Sequence, residues 1–535
     1  MKNFSLMICL AMLLGAALLF AACSSGDDDD DNGHGADDDT TIDDDTVDDD
    51  TTPDDDIYFD DDTTPDDDTV VDDDTTPDDD TVDDDTTPDD DTTPDDDTID
   101  DDTFWIPSSV VPIDVYPEVR GYHIERGIIH IHSVYSHDAC DNNPMPGGVP
   151  NAPCLEQLRT AMCTTNQQFI MLTDHATYFA DYDFPAVLLY DDTAGDELVY
   201  DINSNPIANI ISCDDGNKTI LMAGSENDLM PLHLLSEPPG TNDERHALLG
   251  AKDEAAVLAL QALGAEVIVN HSEEWTYEDL AALTVDGIEL YNLHANLGTD
   301  TEHIILTILK VLPFLFPYKD AGHSDLVLLA FFQENTTDLG YFDQLLALRR
   351  QVGVMATDVH RNAIPFPLYD GDRGDSYRRL MRWFANYILV NDHDVPNIED
   401  ALAKGRMYGA FQIFGEPVGF DFYAETSKAD FEMGDEVALA AGPVLHVAIP
   451  TFYNMDPSLP APEFSAQIIQ AGASGGTVVA ESSGEPITYT VTTAGVYRAE
   501  VHVVPHHLRR WLGGHPDDYI HDYPLIYSNP IYVTP

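Results

Sequence analysis

The stretch Gly127-Ile-Ile-His-Ile-His132 combines a short apolar strand with two imidazoles. Residues two apart in an extended chain point to the same side, so His130 and His132 face the same space. A single histidine beside an apolar strand is usually a hydrogen-bonded core residue, whereas two on one face are candidate metal ligands. His137 and Asp138 follow in the next loop and add two further ligand types.

Similar apolar runs recur along the chain and alternate with helical stretches, which is typical of parallel β/α units. About seven strands with such connections favour a closed barrel over an open sheet. The predicted strands are Gly127–His132, Gln168–Asp174, Thr219–Ser225, Ala265–His271, Asp286–Asn292, Gly353–Asp358 and Tyr387–Val390. The predicted helices are Leu155–Cys163, Lys252–Leu263, Glu302–Leu315, Phe342–Gln351 and Ser376–Asn386.

Five of the seven predicted strands end in a histidine or an acidic residue, or are followed directly by one. Such groups are costly to bury within apolar sequence unless they are paired or coordinate something. Side chains spread over 230 residues can meet only where strand ends converge, as they do at one end of a barrel. We therefore predict one shared metal centre. Beyond the first strand, the residues concerned are Asp174, His175, Glu226, His233, His271, Asp358 and His360.

The order His-x-His, Thr-Asp-His, Glu at a strand end, Asn-His and Asp-x-His resembles the PHP (polymerase and histidinol phosphatase) family of metal-dependent hydrolases, over roughly residues 120–412. The resemblance implies an α/β fold, a distorted (β/α)7 PHP-type barrel with two or three divalent ions. Relatives differ in the ligand they place in the first loop, so His137 and Asp138 both remain candidates. The implied ligands are His130, His132, His175, Glu226 as a bridging carboxylate, His233, His271, Asp358 and His360.

Divalent ions in such a centre lower the pKa of bound water and supply hydroxide at neutral pH, which predicts hydrolysis of phosphoester or related ester bonds. Imidazole and carboxylate ligands suit Zn²⁺, Mn²⁺ or Fe²⁺. His233 and Asp174 are candidates for moving the leaving-group proton, although Asp174 could equally orient a ligand histidine. Arg361 follows His360 directly and is a candidate to bind a phosphate.

Two other functions are considered for this chain. A carboxylester or carbamate hydrolase would need the same metals, and the stretches Gly405–Phe411 and Tyr527–Val533 resemble exported PHP-like proteins that include carbaryl-hydrolysing esterases. A catalytically inactive binding protein at the cell surface would not need them. The filled ligand positions argue against that last function.

The N-terminus predicts export and a membrane anchor. An apolar run after Lys2 ends at Ala21-Ala22-Cys23, which resembles a bacterial lipoprotein signal. Residues 1–22 would be the signal peptide, and the lipidated Cys23 would hold the protein to a membrane, facing the periplasm or the cell exterior. An uncleaved transmembrane segment is the alternative, and it predicts the same tethering.

Charge separates the next segment from the rest. Residues 27–102 hold 41 aspartates and no lysine or arginine. A segment of this composition cannot bury an apolar core, so we expect the whole linker of residues 23–102 to be disordered. Of the net charge of −79, removing these aspartates and Lys2 leaves −39 on residues 103–535. Nucleic acid binding requires phosphate neutralisation by basic residues, so the expected partner is a small ester or phosphoester and not a nucleic acid.

The remaining chain divides into a barrel at 103–415 and, at 416–535, alternating apolar runs typical of a small β-sandwich. Cys140, Cys154, Cys163 and Cys213 predict two disulfides in an exported protein. Of the three possible connectivities we favour Cys140 with Cys154 and Cys163 with Cys213. No CxxC pair is present to support a cysteine zinc site instead.

Overall fold

The computed structural model describes residues 104–293, 311, 314–315 and 321–535. The predicted signal peptide, the lipid-bearing Cys23, the aspartate-rich linker and most of the predicted helix Glu302–Leu315 lie outside these residues. In the part of the chain that is described, no helix combines the length and the apolarity needed to cross a membrane.

Strands make up most of the regular structure, and the helices are short. The strands are β1 (His123–Ile131), β2 (Phe169–His175), β3 (Glu197–Tyr200), β4 (Pro206–Ser212), β5 (Lys218–Glu226), β6 (Leu229–Leu232), β7 (Glu266–Val269), β8 (Gly287–Asn292), β9 (Val352–Val359), β10 (Ala385–Val390), β11 (Met407–Ala410), β12 (Pro417–Val418), β13 (Asp421–Glu425), β14 (Asp430–Phe431), β15 (Glu436–Ala438), β16 (Val444–Ala448), β17 (Thr451–Phe452), β18 (Glu463–Gln470), β19 (Thr477–Ser483), β20 (Ile487–Thr490), β21 (Gly495–Val504), β22 (Tyr523–Ser528) and β23 (Ile531–Thr534). The helices are α1 (Ala152–Thr164), α2 (Ala176–Phe179), α3 (Phe184–Val187), α4 (Asn242–Leu249), α5 (Glu254–Gln261), α6 (Tyr277–Ala282), α7 (Thr336–Leu346), α8 (Tyr377–Leu380) and α9 (Val395–Lys404).

The first half of the protein is built around a closed barrel. Parallel pairings join β1 to β2, β2 to β5, β7 to β8, β8 to β9, and β9 back to β1. Strand β6 turns back after β5 and pairs antiparallel with β7. All seven predicted strands overlap observed ones, and the carboxyl ends of the parallel strands lie at one end of the barrel.

The parallel strands are covered on both faces, which is why they read as unbroken apolar runs. Adjacent residues of β1 fall into two different buried clusters, Ile128 in one and Ile129 in the other. The strands also approach closely at a glycine, which has no side chain. A Cβ on Gly287 would lie 2.1 Å from the carbonyl oxygen of Val352 on β9.

The sheet does not end with the barrel. Strand β10 pairs antiparallel with the first half of β1, β11 with β10, and β22 with β11. The result is one large mixed sheet that continues past Gly415 into the C-terminal strands. A four-stranded sheet of order β14-β13-β16-β20 and the pair β12–β17 are separate from it. The strands predicted beyond Gly415 are therefore present, but several of them extend the large sheet.

The main secondary-structure error is the helix predicted at Ser376–Asn386. Only Tyr377–Leu380 is helical, and Ala385–Val390 is a buried strand against β1. Pairing with a distant strand overrides local helix preference here. The hairpin of β3 and β4, which adds an antiparallel edge to β5, was not predicted.

Two disulfides join Cys140 to Cys154 and Cys163 to Cys213, as expected. Their Cα–Cα distances are 5.9 Å and 5.5 Å, within the ordinary range. The first links the loop after β1 to the start of α1, and the second links the end of α1 to the segment after β4.

Candidate metal centre

Imidazole and carboxylate side chains from five strand ends meet at the carboxyl end of the barrel. His175 ends β2 directly beside Glu226 at the end of β5, because the two strands pair in parallel register. His271 lies two residues beyond β7. Asp358 is the second-to-last residue of β9, and His360 comes directly after that strand. The strand pairing therefore gathers the residues that the sequence had spread over 230 positions.

These side chains form overlapping groups in which all the ligand atoms lie within 4.8 Å of one another. Glu226 is shared by the two larger groups, and His175 links one of these to a third. The first group is His132, His175, Glu226 and His360; the second is His130, Glu226, His271 and Asp358; the third is His137, Asp138 and His175.

Glu226 lies between the two larger groups with one oxygen toward each. Its Oε1 is 3.1 Å from Nε2 of His130 and 3.1 Å from Nε2 of His271. Its Oε2 is 3.0 Å from Nε2 of His132 and 3.6 Å from Nε2 of His175. This is the arrangement of a carboxylate that bridges two cations.

Two aspartates complete the contacts. Oδ1 of Asp358 is 3.3 Å from Nε2 of both His130 and His132, so it also touches both groups. Oδ2 of Asp138 is 3.2 Å from Nε2 of His360 and 3.7 Å from Nε2 of His175. Asp138 therefore contacts ligand atoms directly, and the neighbouring His137 is exposed, with its ring tilted by 50° against that of His175 at 5.0 Å between centroids.

The other ring nitrogen of these histidines is held by the surrounding protein. Nδ1 of His130 lies 2.5 Å from Oε1 of Glu289, that of His175 3.2 Å from the Glu226 carbonyl, and that of His360 3.0 Å from the Asp358 carbonyl. Carbonyl and carboxylate oxygens can only accept, so the proton sits on Nδ1 in each ring. With a cation bound in place of the Nε2 proton, each ring would present its Nε2 lone pair to the centre, as metal-binding histidines do.

Glu289 was not among the predicted site residues. It is fully buried in β8, and its second oxygen accepts hydrogen bonds from the His271 amide and from Nδ2 of Asn292, both at 3.0 Å. An acid between Ile288 and Leu290 in an apolar strand was the signal that could have identified it. Asn270 has a comparable role, because its Nδ2 donates to Oε1 of Glu226 at 2.6 Å.

The buried atoms of the centre fit a cation. Nε2 of His130, Nε2 of His132 and Oε2 of Glu226 are inaccessible to solvent, and although they lie close to one another or to Asp358 they make no hydrogen bond of normal geometry. Leaving such atoms unsatisfied is costly, and a coordinated ion would satisfy all three at once. The donor set of imidazoles and carboxylates is one that Zn²⁺, Mn²⁺ or Fe²⁺ accepts.

The electrostatics agree with this fit. Burial opposes charge on His130, but Glu226, Asp358 and Glu289 outweigh it and raise the pKa of the ring. Burial also opposes charge on Glu226, yet His130 and His175 hold the pKa of that carboxyl well below its ordinary value. The Glu226 carboxylate therefore stays ionised and attracts positive charge into the pocket. Burial lowers the pKa of His360 to about 3, so this ring is neutral and able to coordinate.

Three residues of the two larger groups adopt left-handed backbone conformations, with φ of +63° at His130, +44° at His271 and +51° at Asp358. Such values are uncommon for residues other than glycine and concentrate at functional sites. At His130 the register of β1 shifts relative to both β2 and β9, which marks a bulge between Ile129 and Ile131. The bulge redirects the side chain toward the centre.

The structure does not bring His233 into this group. Strand β6 runs antiparallel to β7, from Leu229 opposite Val269 to Leu232 opposite Glu266. His233 therefore lies near Glu266, at the start of β7. The metal ligands lie at the other end of β7, three residues or about 10 Å away along the strand. Its ring contacts Glu266 through Nε2 and Glu399 through Nδ1. His233 was predicted as a ligand or proton carrier, but the structure places it outside the groups of candidate ligands.

Asp174 and Arg361 lie beside the centre in supporting positions. The buried Asp174 carboxylate accepts from the amide and the hydroxyl of Ser133, at 2.5 and 2.6 Å, so it holds the residue after His132. The orienting alternative for Asp174 named a ligand histidine, whereas these hydrogen bonds come from the neighbouring Ser133. Arg361 pairs with Asp141 at 3.3 Å and lines a cavity of about 30 Å³ together with Asp358.

Three arginines that follow Arg361 in the sequence, Arg373, Arg378 and Arg379, are engaged by acids. Arg373 forms a two-pronged ion pair with Asp141 at 2.8 Å for each contact. Arg378 contacts Asp325 and Asp372, and Arg379 is buried against Asp325.

No protein-family model and no curated protein matches the sequence. Among solved structures, the chain is similar to a two-domain protein containing a predicted PHP-like metal-dependent phosphoesterase from Bacteroides vulgatus. The two are 12% identical, the match covers 78% of this chain and 99% of the other, and the TM-score is 0.32. It is also similar to PsfC from Pseudomonas syringae, at 11% identity, 52% and 88% coverage and a TM-score of 0.25. Both likenesses are too loose to transfer an activity, so function is argued from the geometry alone.

Proposed function

We propose that this protein is a metal-dependent hydrolase of phosphoester or related ester bonds, built on a distorted (β/α)7 barrel of the PHP type. The observation that carries the proposal is Glu226, which turns one carboxylate oxygen to each of two histidine groups, at 3.1 Å from Nε2 of His130 and 3.0 Å from Nε2 of His132, without a hydrogen bond of normal geometry at either nitrogen. Buried polar atoms are usually hydrogen-bonded, and cations between these groups would satisfy both nitrogens and the carboxylate together.

Two cation positions follow from the two larger groups, and Asp138 with His175 and His137 provides a third. The ions, when bound, supply hydroxide at neutral pH and positive charge for the substrate oxygen. The protein holds the ligand rings in one tautomer through Glu289 and the backbone carbonyls of Glu226 and Asp358. The rings therefore need little rearrangement to coordinate.

Arg361 favours an anionic substrate. Its side chain is mostly buried beside the centre, its Nε has no hydrogen-bond partner, and it lines the same small cavity as Asp358 and His360. A guanidinium in this position could pair with a phosphoryl oxygen. This supports phosphoesters over carboxylesters and carbamates.

The cellular setting is also part of the proposal. The sequence at Cys23 supports an exported bacterial lipoprotein, with the acidic segment as a spacer between membrane and enzyme. The two disulfides are consistent with an oxidising compartment. Export would be tested by labelling with a lipid precursor, where a Cys23→Ser variant should lose the label.

The deciding experiment combines metal analysis of the purified protein with assays on p-nitrophenyl phosphate, a phosphodiester analogue and a carboxylic ester. We expect about two or three ions per chain and turnover of at least one phosphoester. Glu226→Gln should lose both metal and activity, because it removes the shared charge. His233→Asn is the matched control and should retain both. Less than one ion per chain together with no turnover would refute the proposal, and turnover of the carboxylic ester alone would favour the esterase alternative.

A further inference from the structure

The loop that carries Asp138 continues into an unusual turn. Cys140, Asp141 and Asn142 have φ of +57°, +60° and +58°, three consecutive residues in the left-handed region without a glycine among them. Non-glycine residues visit this region as single positions, because the Cβ crowds the following carbonyl. Local sequence preference therefore does not hold this turn, and contacts from elsewhere must do so.

Those contacts come from the loop after β9. The amide of Cys140 donates to the His360 carbonyl at 2.9 Å, and the amide of Asp141 donates to the Arg361 carbonyl at 3.0 Å. Nδ2 of Asn362 donates to the Asp138 carbonyl at 3.0 Å. Two ligand-bearing loops, one with Asp138 and one with His360, are thereby joined backbone to backbone.

Two side chains fasten the turn further. Cys140 is bonded to Cys154 near the start of α1, and both cysteines are almost fully buried. The Asp141 carboxylate receives both terminal nitrogens of Arg373 at 2.8 Å, and Arg361 at 3.3 Å. The turn is thus tied covalently to one element and by charge to another.

We infer that the Cys140–Cys154 disulfide and Asp141 are positioning residues that hold Asp138 against His360 and His175 and so complete the third group of the metal centre. Without them, the three left-handed residues would relax toward the ordinary backbone regions. The Asp138 carboxylate, now 3.2 Å from Nε2 of His360, would then move away. The inference rests on the proposed function only in taking Asp138 as a metal ligand.

The test compares two disulfide-free variants. Cys140→Ser with Cys154→Ser removes the bond beside the centre, and Cys163→Ser with Cys213→Ser removes the bond at the far end of α1 as the matched control. Mn²⁺ alone is titrated into each apo protein, and free Mn²⁺ is read by its electron paramagnetic resonance signal. Loss of groups that orient ligands typically weakens metal binding by about 10- to 100-fold, which we expect for the most weakly held ion in the first variant only.

A structural disulfide would change thermal stability without changing the metal environment. The Co²⁺-loaded proteins separate these roles, because the visible absorption of Co²⁺ depends on its ligands. We expect an altered spectrum for Cys140→Ser with Cys154→Ser, and an unaltered one for the control even if it melts at a lower temperature. Asp141→Asn, which retains both disulfides, should change binding in the same direction and serves if the first variant does not fold. Unchanged Mn²⁺ affinity and Co²⁺ spectrum in the variants that fold would overturn the inference.

Amide hydrogen exchange keeps the inference apart from the proposed function. In the metal-free protein, the amides of Cys140 and Asp141 should be protected by their bonds to the His360 and Arg361 carbonyls. This protection should be lost in Cys140→Ser with Cys154→Ser and kept in the control. A wild type that binds no metal would refute the proposed function alone. Retained protection in the variant would overturn the positioning role of the Cys140–Cys154 disulfide, whatever the wild type binds.

Discussion

Glu289→Gln is expected to weaken metal binding without unfolding the protein. The Glu289 carboxylate accepts three hydrogen bonds, from Nδ1 of His130 at 2.5 Å and from the His271 amide and Nδ2 of Asn292 at 3.0 Å each. Glutamine has nearly the same shape but only one acceptor oxygen. One side of the group would therefore turn an NH₂ toward a donor, and either His130 loses its orientation or His271 loses its amide partner.

The magnitude follows from what such partners contribute elsewhere. Removing the carboxylate behind a ligand histidine costs about 10- to 100-fold in metal affinity, or about 1.4 to 2.7 kcal/mol. Glu289 serves ligands in one group directly, His130 and His271, so we expect the upper half of that range for the ion held by that group. The ion held by His132, His175 and His360 should be affected less.

The assay is a competition titration of Zn²⁺ against a chromophoric chelator, with thermal melting of the apo protein measured in parallel. Glu399→Gln is the matched control, because this glutamate contacts His233 near the other end of β7. A change of less than twofold in both Zn²⁺ affinities for Glu289→Gln, with melting unchanged, would refute the orienting role of Glu289.

Three further outcomes can be measured. His132→Ala should abolish turnover and reduce bound metal, as measured by elemental analysis of folded protein, since this Nε2 faces Glu226 at 3.0 Å; full activity would show that the ligand set is wrong. Gly287→Ala should destabilise the fold by about 2 to 4 kcal/mol in urea unfolding, because the new Cβ would meet the Val352 carbonyl at 2.1 Å; an unchanged midpoint would contradict this packing. Despite its burial, Glu500 has its pKa lowered to about 2 by Arg498, so its contribution is present above pH 4.5 and is lost as pH falls toward 2. The free energy of unfolding of Glu500→Gln, measured in urea, should therefore be about 2 to 3 kcal/mol below that of the wild type at pH 6, and the two should converge near pH 2. A difference that does not depend on pH would contradict the assignment.

The elements with strong local patterns could be predicted from the sequence. The apolar runs of the parallel strands, the helix of residues 152–164 and both disulfide pairings are as expected. The segment Ser376–Asn386 was not, because its helix ends at Leu380, and its last two residues begin β10, which pairs with β1. The hairpin of β3 and β4 was also missed, although β4 carries apolar residues such as Ile207, Ile210 and Ile211.

The candidate site was predictable to the extent that it depends on strand ends. His130, His132, His175, Glu226, His271, Asp358 and His360 all lie within the two larger groups. Asp138 contacts ligand atoms and His137 lies at the exposed edge, a distinction that the sequence left open. Glu289 was overlooked because an acid inside a strand shows no pattern until the ring that it orients is known.

The sequence by itself determined which side chains could serve, because alternation along an extended strand and the convergence of parallel strand ends are consequences of local geometry. Only the tertiary structure decided which of them meet. The reversal of β6 carries His233 away from the centre although Glu226 is seven residues before it, and the closure of the barrel brings Glu289 behind His130 across 159 residues. The direction of a strand and the identity of its neighbour are set by pairing between distant segments, and that information is not contained in any short stretch of the chain.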